Sequence, residues 1–189
     1  DFAKAYQEGG YFEEALLEAQ KLTNEESDEI ADSNPINKAK AWIFIAAQEQ
    51  SQRNWEPATV AYQKAIDLLP NQPLLKIQSG VVLWMAEKHD EANALFKGVA
   101  EAGSDNPVIL DTLGKAHQQI GREQEAINFY EKAIALKPEH APYQINLAIA
   151  HQRNNEPSEA VKIYREIIAN NEPALNAKNN LAWILATDP

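Results

Sequence analysis

Apolar residues in this chain recur three and four positions apart in short blocks, the spacing that lays one stripe along an α-helix. Ala133 with Ile134 and Ile167 with Ile168 each continue a stripe begun by an Ala and an aromatic one turn earlier. Proline marks the breaks, because it is tolerated in the first turn of a helix and disrupts the interior. Pro35, Pro73, Pro107, Pro142 and Pro173 are placed to open one set of helices, with Asn34 and Asn106 as N-caps. Pro57 and Pro157 open a second set, and Pro70 and Pro138 close it. The pattern predicts an all-α chain of paired helices.

The pairs repeat. Ala58, Ala92, Ala126 and Ala160 are spaced by 34 residues, and an aromatic follows each by four: Tyr62, Phe96, Tyr130 and Tyr164. A second column holds only small residues, Ala46, Gly80, Gly114, Ala148 and Ala182. A third runs Ala65, Val99, Ala133 and Ile167. A small residue where two helices cross lets their backbones approach, and the aromatic fills the gap to the neighbour. Each hairpin alone is half a core, so stability depends on stacking against the next one.

These residues resemble the tetratricopeptide repeat, a 34-residue helix–turn–helix unit. The fullest match is the segment LDTLGKAHQQIGREQEAINFYEKAIALKP from Leu110 to Pro138, with Leu113, Gly114, Gly121, Ala126, Tyr130, Ala133 and Pro138 where the pattern wants them. The resemblance implies a right-handed superhelical α-solenoid. On this reading, residues 39–72, 73–106, 107–140 and 141–174 are four tandem units. Residues 1–38 hold a partial unit and an acidic connector, and 175–189 the first helix of a further unit.

Several departures stand out. The unit from Pro73 has Ser79 where others have Leu or Ile, and Gly98 and Gly103 weaken its second helix, which makes it the expected place for a bend. Near the N-terminus, Gly9, Gly10, Glu14 and Ala15 point to one more unit, out of register because Ala15 precedes Ala58 by 43 residues. The surplus falls near 24–33, where Glu25, Glu26, Asp28, Glu29 and Asp32 read as a solvated loop or helix extension, or as a site for a basic ligand. The last helix, around Asn179 to Leu185, lacks its mate. The native protein is therefore expected to continue, or to pair that end with another copy.

Composition narrows the function. With 44% apolar and 24% charged residues, the chain can bury a core, and no apolar run approaches the length of a membrane span. A net charge of -11 opposes binding to a phosphate backbone, so nucleic acid is not an expected partner. That charge is read either as a solvated surface or as a preference for basic partners. Zero Cys removes disulfides, thiolate metal sites and a Cys nucleophile. The chain begins at Asp1 with no signal segment, so its compartment stays open.

No phosphate-binding loop, zinc-helix motif or nucleophile elbow is present, so neither catalysis nor a cofactor or metal is expected. His117 and His151 lie 34 apart and are read as packing or rim residues; His89 and His140 fall at turns.

In proteins of this family, first helices line the concave surface. Carried over, the resemblance makes that surface apolar in the second unit, through Leu74, Ile77, Val81, Trp84 and Met85. It becomes amide-rich further on, through Asp111, Lys115, Gln118 and Gln119, then Ile145, Asn146, Ile149, Gln152 and Arg153, then Asn179, Asn180 and Trp183. Ile77, Val81 and Ile145 are alternatively packing residues. Some family members grip a chain-terminal carboxylate with Lys, Asn and Arg; here Asp111 and apolar residues interrupt such a set. The expectation is a non-catalytic scaffold that binds a peptide or partner protein, and the resemblance to bacterial members implies an envelope assembly. Two alternatives stay open: a spacer that self-associates end to end through Trp183, and an accessory domain of an enzyme.

Overall fold

A computed structural model describes residues 12–23, 34–170 and 174–187. Every regular element among them is a helix, ten in all: α1 (Phe12–Thr23), α2 (Pro35–Ser51), α3 (Trp55–Leu68), α4 (Pro73–Met85), α5 (His89–Ala102), α6 (Pro107–Gln119), α7 (Glu123–Leu136), α8 (Ala141–Arg153), α9 (Pro157–Asn170) and α10 (Leu175–Thr187). The chain divides into two compact units, 1–95 and 96–189, with the division falling inside α5. In the first, α2 packs against α1 and α3, and α3 against α4. In the second, α6 pairs with α7 and α8 with α9, while α8 also packs on α7 and α10 on α9.

Helix starts follow the capping chemistry. The Asn34 side chain accepts from Ile36 N at 2.9 Å, and Asn106 accepts from Val108 N at 3.0 Å. Asn34 thus satisfies one, and Asn106, which also accepts from Ile109 N, two of the amides that a helix leaves unpaired at its beginning, and Pro35 and Pro107 follow directly. Helix α2 opens at Pro35, where the proline and its Asn cap predict, and runs to 17 residues. Pro173, the acidic stretch 24–33, Gly9 and Gly10 lie outside the described residues.

Helix ends share a device that the sequence signals by residue type at Gly121 and Asn155 only. Arg53, Glu87, Gly121 and Asn155, spaced by 34 residues, all have φ between 61° and 76°. Each is the left-handed residue that stops a first helix. The next residue's amide reaches back to the helix, as Lys88 N to Leu83 O at 2.9 Å and Arg122 N to His117 O at 2.8 Å. Orphan carbonyls of the last turn are thereby paired and the chain is turned into the second helix.

The repeating columns are the core. Ala58, Ala92, Ala126 and Ala160 are fully buried, and Tyr62, Phe96, Tyr130 and Tyr164 are at most 3% exposed. Gly114 shows why its column must be small: a Cβ there would lie 2.5 Å from the Tyr130 ring. In the first unit Tyr62 packs with Ala46, Ala58, Ala61, Ala65 and Val82; in the second Tyr164 packs with Ala148, Ala160, Ile167, Ala177 and Ile184. Burial lifts the Tyr62 hydroxyl to about 12. That hydroxyl donates to Gln50 Oε1 at 3.0 Å, and Tyr130 donates to Gln118 Oε1 at 3.1 Å. Where the first residue of this pair becomes Trp84, the second becomes Phe96, so the hydroxyl disappears together with its acceptor.

Candidate functional site

In the first unit, Ile77 and Val81, expected as contact or alternatively as packing residues, match the packing reading. Ile77 and Val81 are 2% and 4% exposed, because this side of α4 is consumed by packing. Trp84 is half-buried with its ring 4.2 Å from that of His89, whereas Leu74 and Met85 are exposed.

The second unit holds the denser set of polar side chains. Asp111, at the position that Ile77 occupies one repeat earlier, is buried, with its side chain 8% exposed. A carboxylate is stable there only if hydrogen-bonded. Its Oδ2 accepts from Lys115 Nζ at 2.7 Å and its Oδ1 from Asn146 Nδ2 at 2.7 Å. The first bond joins residues one turn apart on α6, with the acid N-terminal to the base as a helix prefers. The second ties α6 to α8. Burial, and next the charge of Asp111, push the Tyr130 hydroxyl well above the usual range.

A second ion pair sits at the helix ends. Arg153 closes α8, and its Nε donates to Glu123 Oε1 at 2.8 Å at the start of α7. Its terminal nitrogen donates to Gln118 O at 3.1 Å. Both charges lie at the helix end that favours their sign. Glu123 is nearly buried, at 12% exposure, while the Arg153 side chain is 52% exposed and that of Lys115 57%. The same design thus appears twice: a buried acid holds a cation that faces outward.

The remaining candidates separate into packed and presented groups. Gln119 and Asn179 are exposed, Ile149 and Gln152 half-buried. Asn180 donates to the Tyr164 hydroxyl at 3.1 Å, and Trp183 is 59% exposed. His117 is buried between the rings of Phe96 and Phe129, at 4.7 and 4.9 Å, with Nδ1 2.9 Å from Leu113 O. His151 meets Glu156 through Nδ1 at 2.7 Å.

Sequence reasoning treated Asp111 as an interruption and overlooked Glu123. The Asp-x-x-x-Lys spacing could have revealed the first pair. The second joins residues 30 apart and has no local signature.

Comparison with known proteins agrees with the stacked hairpins. Residues 117–184 match the family profile described as tetratricopeptide repeat. The peroxisomal targeting signal receptor of Candida albicans is 27% identical over 96 residues, 49% of this chain and 16% of the receptor. Anaphase-promoting complex subunit 6 of Arabidopsis thaliana is 23% identical over 144 residues, 74% of this chain and 26% of that protein. The chain thus spans between a sixth and about a quarter of these relatives. Among solved structures, MamA 41-end from Desulfovibrio magneticus RS-1 aligns with a TM-score of 0.58 at 20% identity, covering 89% of this chain and 94% of that one.

Proposed function

We propose that the chain, whose residues 117–184 match the tetratricopeptide-repeat profile, is a non-catalytic scaffold that holds a peptide or partner protein on its first helices. The observation that carries this reading is the division of labour in the second unit. Packing consumes the alanine, small and aromatic columns, and leaves α6, α8 and α10 presenting Lys115, Gln119, Arg153, Asn179 and Trp183. Amide side chains pair with the donors and acceptors of a bound backbone, and aromatic and Arg residues are frequent anchors of interfaces. The names of the relatives point the same way, one a receptor for a targeting signal and the other a subunit of a complex. A bacterial envelope assembly remains the setting proposed from the resemblance.

Site-specific photocrosslinking tests the reading. A photoreactive side chain at Gln119 or Asn179 is expected to capture the partner, and one at Arg165, exposed on α9, is not. Equal capture from Arg165 would remove the first-helix face from the account.

Trp183 and Leu185, both exposed on α10, favour the spacer reading as a second possibility. Light scattering over a concentration series separates the two. Assembly that Trp183→Glu abolishes and Gln119→Ala leaves intact supports the spacer.

A further inference from the structure

The acidity of this chain is unevenly placed. The five first helices α2, α4, α6, α8 and α10 carry six basic residues, Lys38, Lys40, Lys76, Lys115, Arg153 and Lys178, against two acids, Glu49 and Asp111. Their net charge is +4 in a chain of -11, so everything else carries -15. The bias holds in each unit separately, at +2 for α2 with α4 and +2 for α6, α8 and α10. A basic partner is thus directed away from the first helices, toward the second helices and connections.

What a ligand meets on α6 and α8 is more one-sided than the residue count. Asp111 and Glu123 are 8% and 12% exposed, whereas the cations they hold are more than half exposed. One donor of Lys115 is used by Asp111, and an ammonium has three; two of Arg153 are used by Glu123 and Gln118 O, and a guanidinium has five. Both cations are therefore fixed from behind and keep donors for an incoming anion. Fixing them beforehand reduces the ordering cost of binding.

We propose that this face receives an extended acidic segment of the partner, with two side-chain carboxylates four residues apart, one on Lys115 and one on Arg153. The proposal rests on the scaffold reading and adds the chemistry of the ligand. The spacing follows from the helices. Lys115 and Arg153 stand on neighbouring first helices, joined by the Asp111–Asn146 bond, and differ by four residues in repeat register. A lateral packing distance of 8–10 Å and an axial offset of about 6 Å place their backbone positions roughly 10–12 Å apart. In an extended chain, residues i and i+4 lie on the same side about 13 Å apart, and i+3 points the other way. The anions are internal side chains, which distinguishes this surface from one that grips a chain terminus.

Fluorescence anisotropy on the full chain tests the idea with three labelled, C-terminally amidated peptides of one sequence, carrying Glu, Gln or Lys at the two positions. The Glu peptide is expected to bind about ten-fold tighter than the Gln peptide, and the Lys peptide weakest of all. Raising salt from about 50 to about 500 mM should erase most of the difference. Lys115→Gln or Arg153→Gln should each remove much of the Glu preference, and Arg165→Gln, on α9, none; circular dichroism verifies that each variant stays helical.

Equal binding of Glu and Gln peptides at this face overturns the acidic preference and leaves the scaffold reading standing. Tightest binding by the Lys peptide, or none by the Glu peptide at millimolar concentration, overturns the proposal as well.

Discussion

Helices α4 and α6 occupy the same place in the 34-residue period and offer different chemistry. Ile77, Val81, Leu83, Trp84 and Glu87 in and after α4 correspond to Asp111, Lys115, His117, Gln118 and Gly121 in and after α6. Ile77 and Asp111 are both buried, and Glu87 and Gly121 both have positive φ. The period therefore fixes backbone path and depth, while residue identity decides whether a position is mere filling or part of a charged surface. In α4 the buried column is closed by apolar packing. In α6 it is a carboxylate that must be satisfied, and satisfying it sets Lys115 and Asn146 in place.

Substitutions that carry one helix's chemistry into the other's frame test this, beginning with what both share. Removing a column aromatic should cost most: Tyr130→Ala is expected to lose about 3–5 kcal/mol in denaturant unfolding, as for other large rings deleted from a core. A loss under about 1 kcal/mol would mean that the ring does not fill the space between helices.

Asp111→Ala should cost about 2 kcal/mol, since it leaves the Asn146 amide and Lys115 without their acceptor. The double change Asp111→Ile with Lys115→Val copies α4 and should cost less than the single one, because apolar packing can replace a buried ion pair. A double variant less stable than Asp111→Ala would show that depth alone does not make the two columns equivalent.

Gly121→Ala should cost about 1 kcal/mol, the penalty of a side chain at its φ of 76°. Glu87→Gly should move stability by less than about 0.5 kcal/mol, because relief of that strain is offset by a more flexible unfolded chain.

The smallest effect concerns pH. Burial lowers the pKa of His117, against the pull of its bond to the Leu113 carbonyl; nearby Arg122 also lowers it and Glu125 raises it. The folded chain thus takes up this proton less readily than the unfolded chain, whose His titrates near 6.5. This contribution to stability is complete above that pH and declines as pH falls below it toward the folded value. His117→Leu, which copies Leu83, should flatten the melting temperature between about pH 7 and pH 5. An unchanged slope would assign the pH dependence to other groups.

The columns were legible in the sequence because packing leaves them few choices. Only small residues fit beside a ring, and only a ring spans the gap, so Gly114, Ala126 and Tyr130 declare themselves by type and spacing. The left-handed helix stops were half hidden, since Arg53 and Glu87 carry no turn signal and only Gly121 and Asn155 are residue types that favour positive φ. The face of α4 kept two readings, contact and packing, for a related reason. A first helix is covered by its own mate and by the neighbouring hairpin, and periodicity alone does not tell a second buried side from a ligand-facing one. Charge pairing leaves a signature where it is local, as in the Asp111–Lys115 spacing that the sequence reading passed over, and none where Glu123 meets Arg153 across two helices.

The claim that the small and aromatic columns hold the stack in register is tested most directly by a double-mutant cycle on Gly114 and Tyr130. Gly114→Ala alone should destabilise by about 2 kcal/mol, because its methyl would press into the ring 2.5 Å away. In the Tyr130→Ala background the same change should cost nothing or stabilise by up to about 1 kcal/mol, since the ring is gone and Ala favours helix over Gly. A coupling of about 2–3 kcal/mol is the predicted result, and simple additivity within about 0.5 kcal/mol would contradict the account.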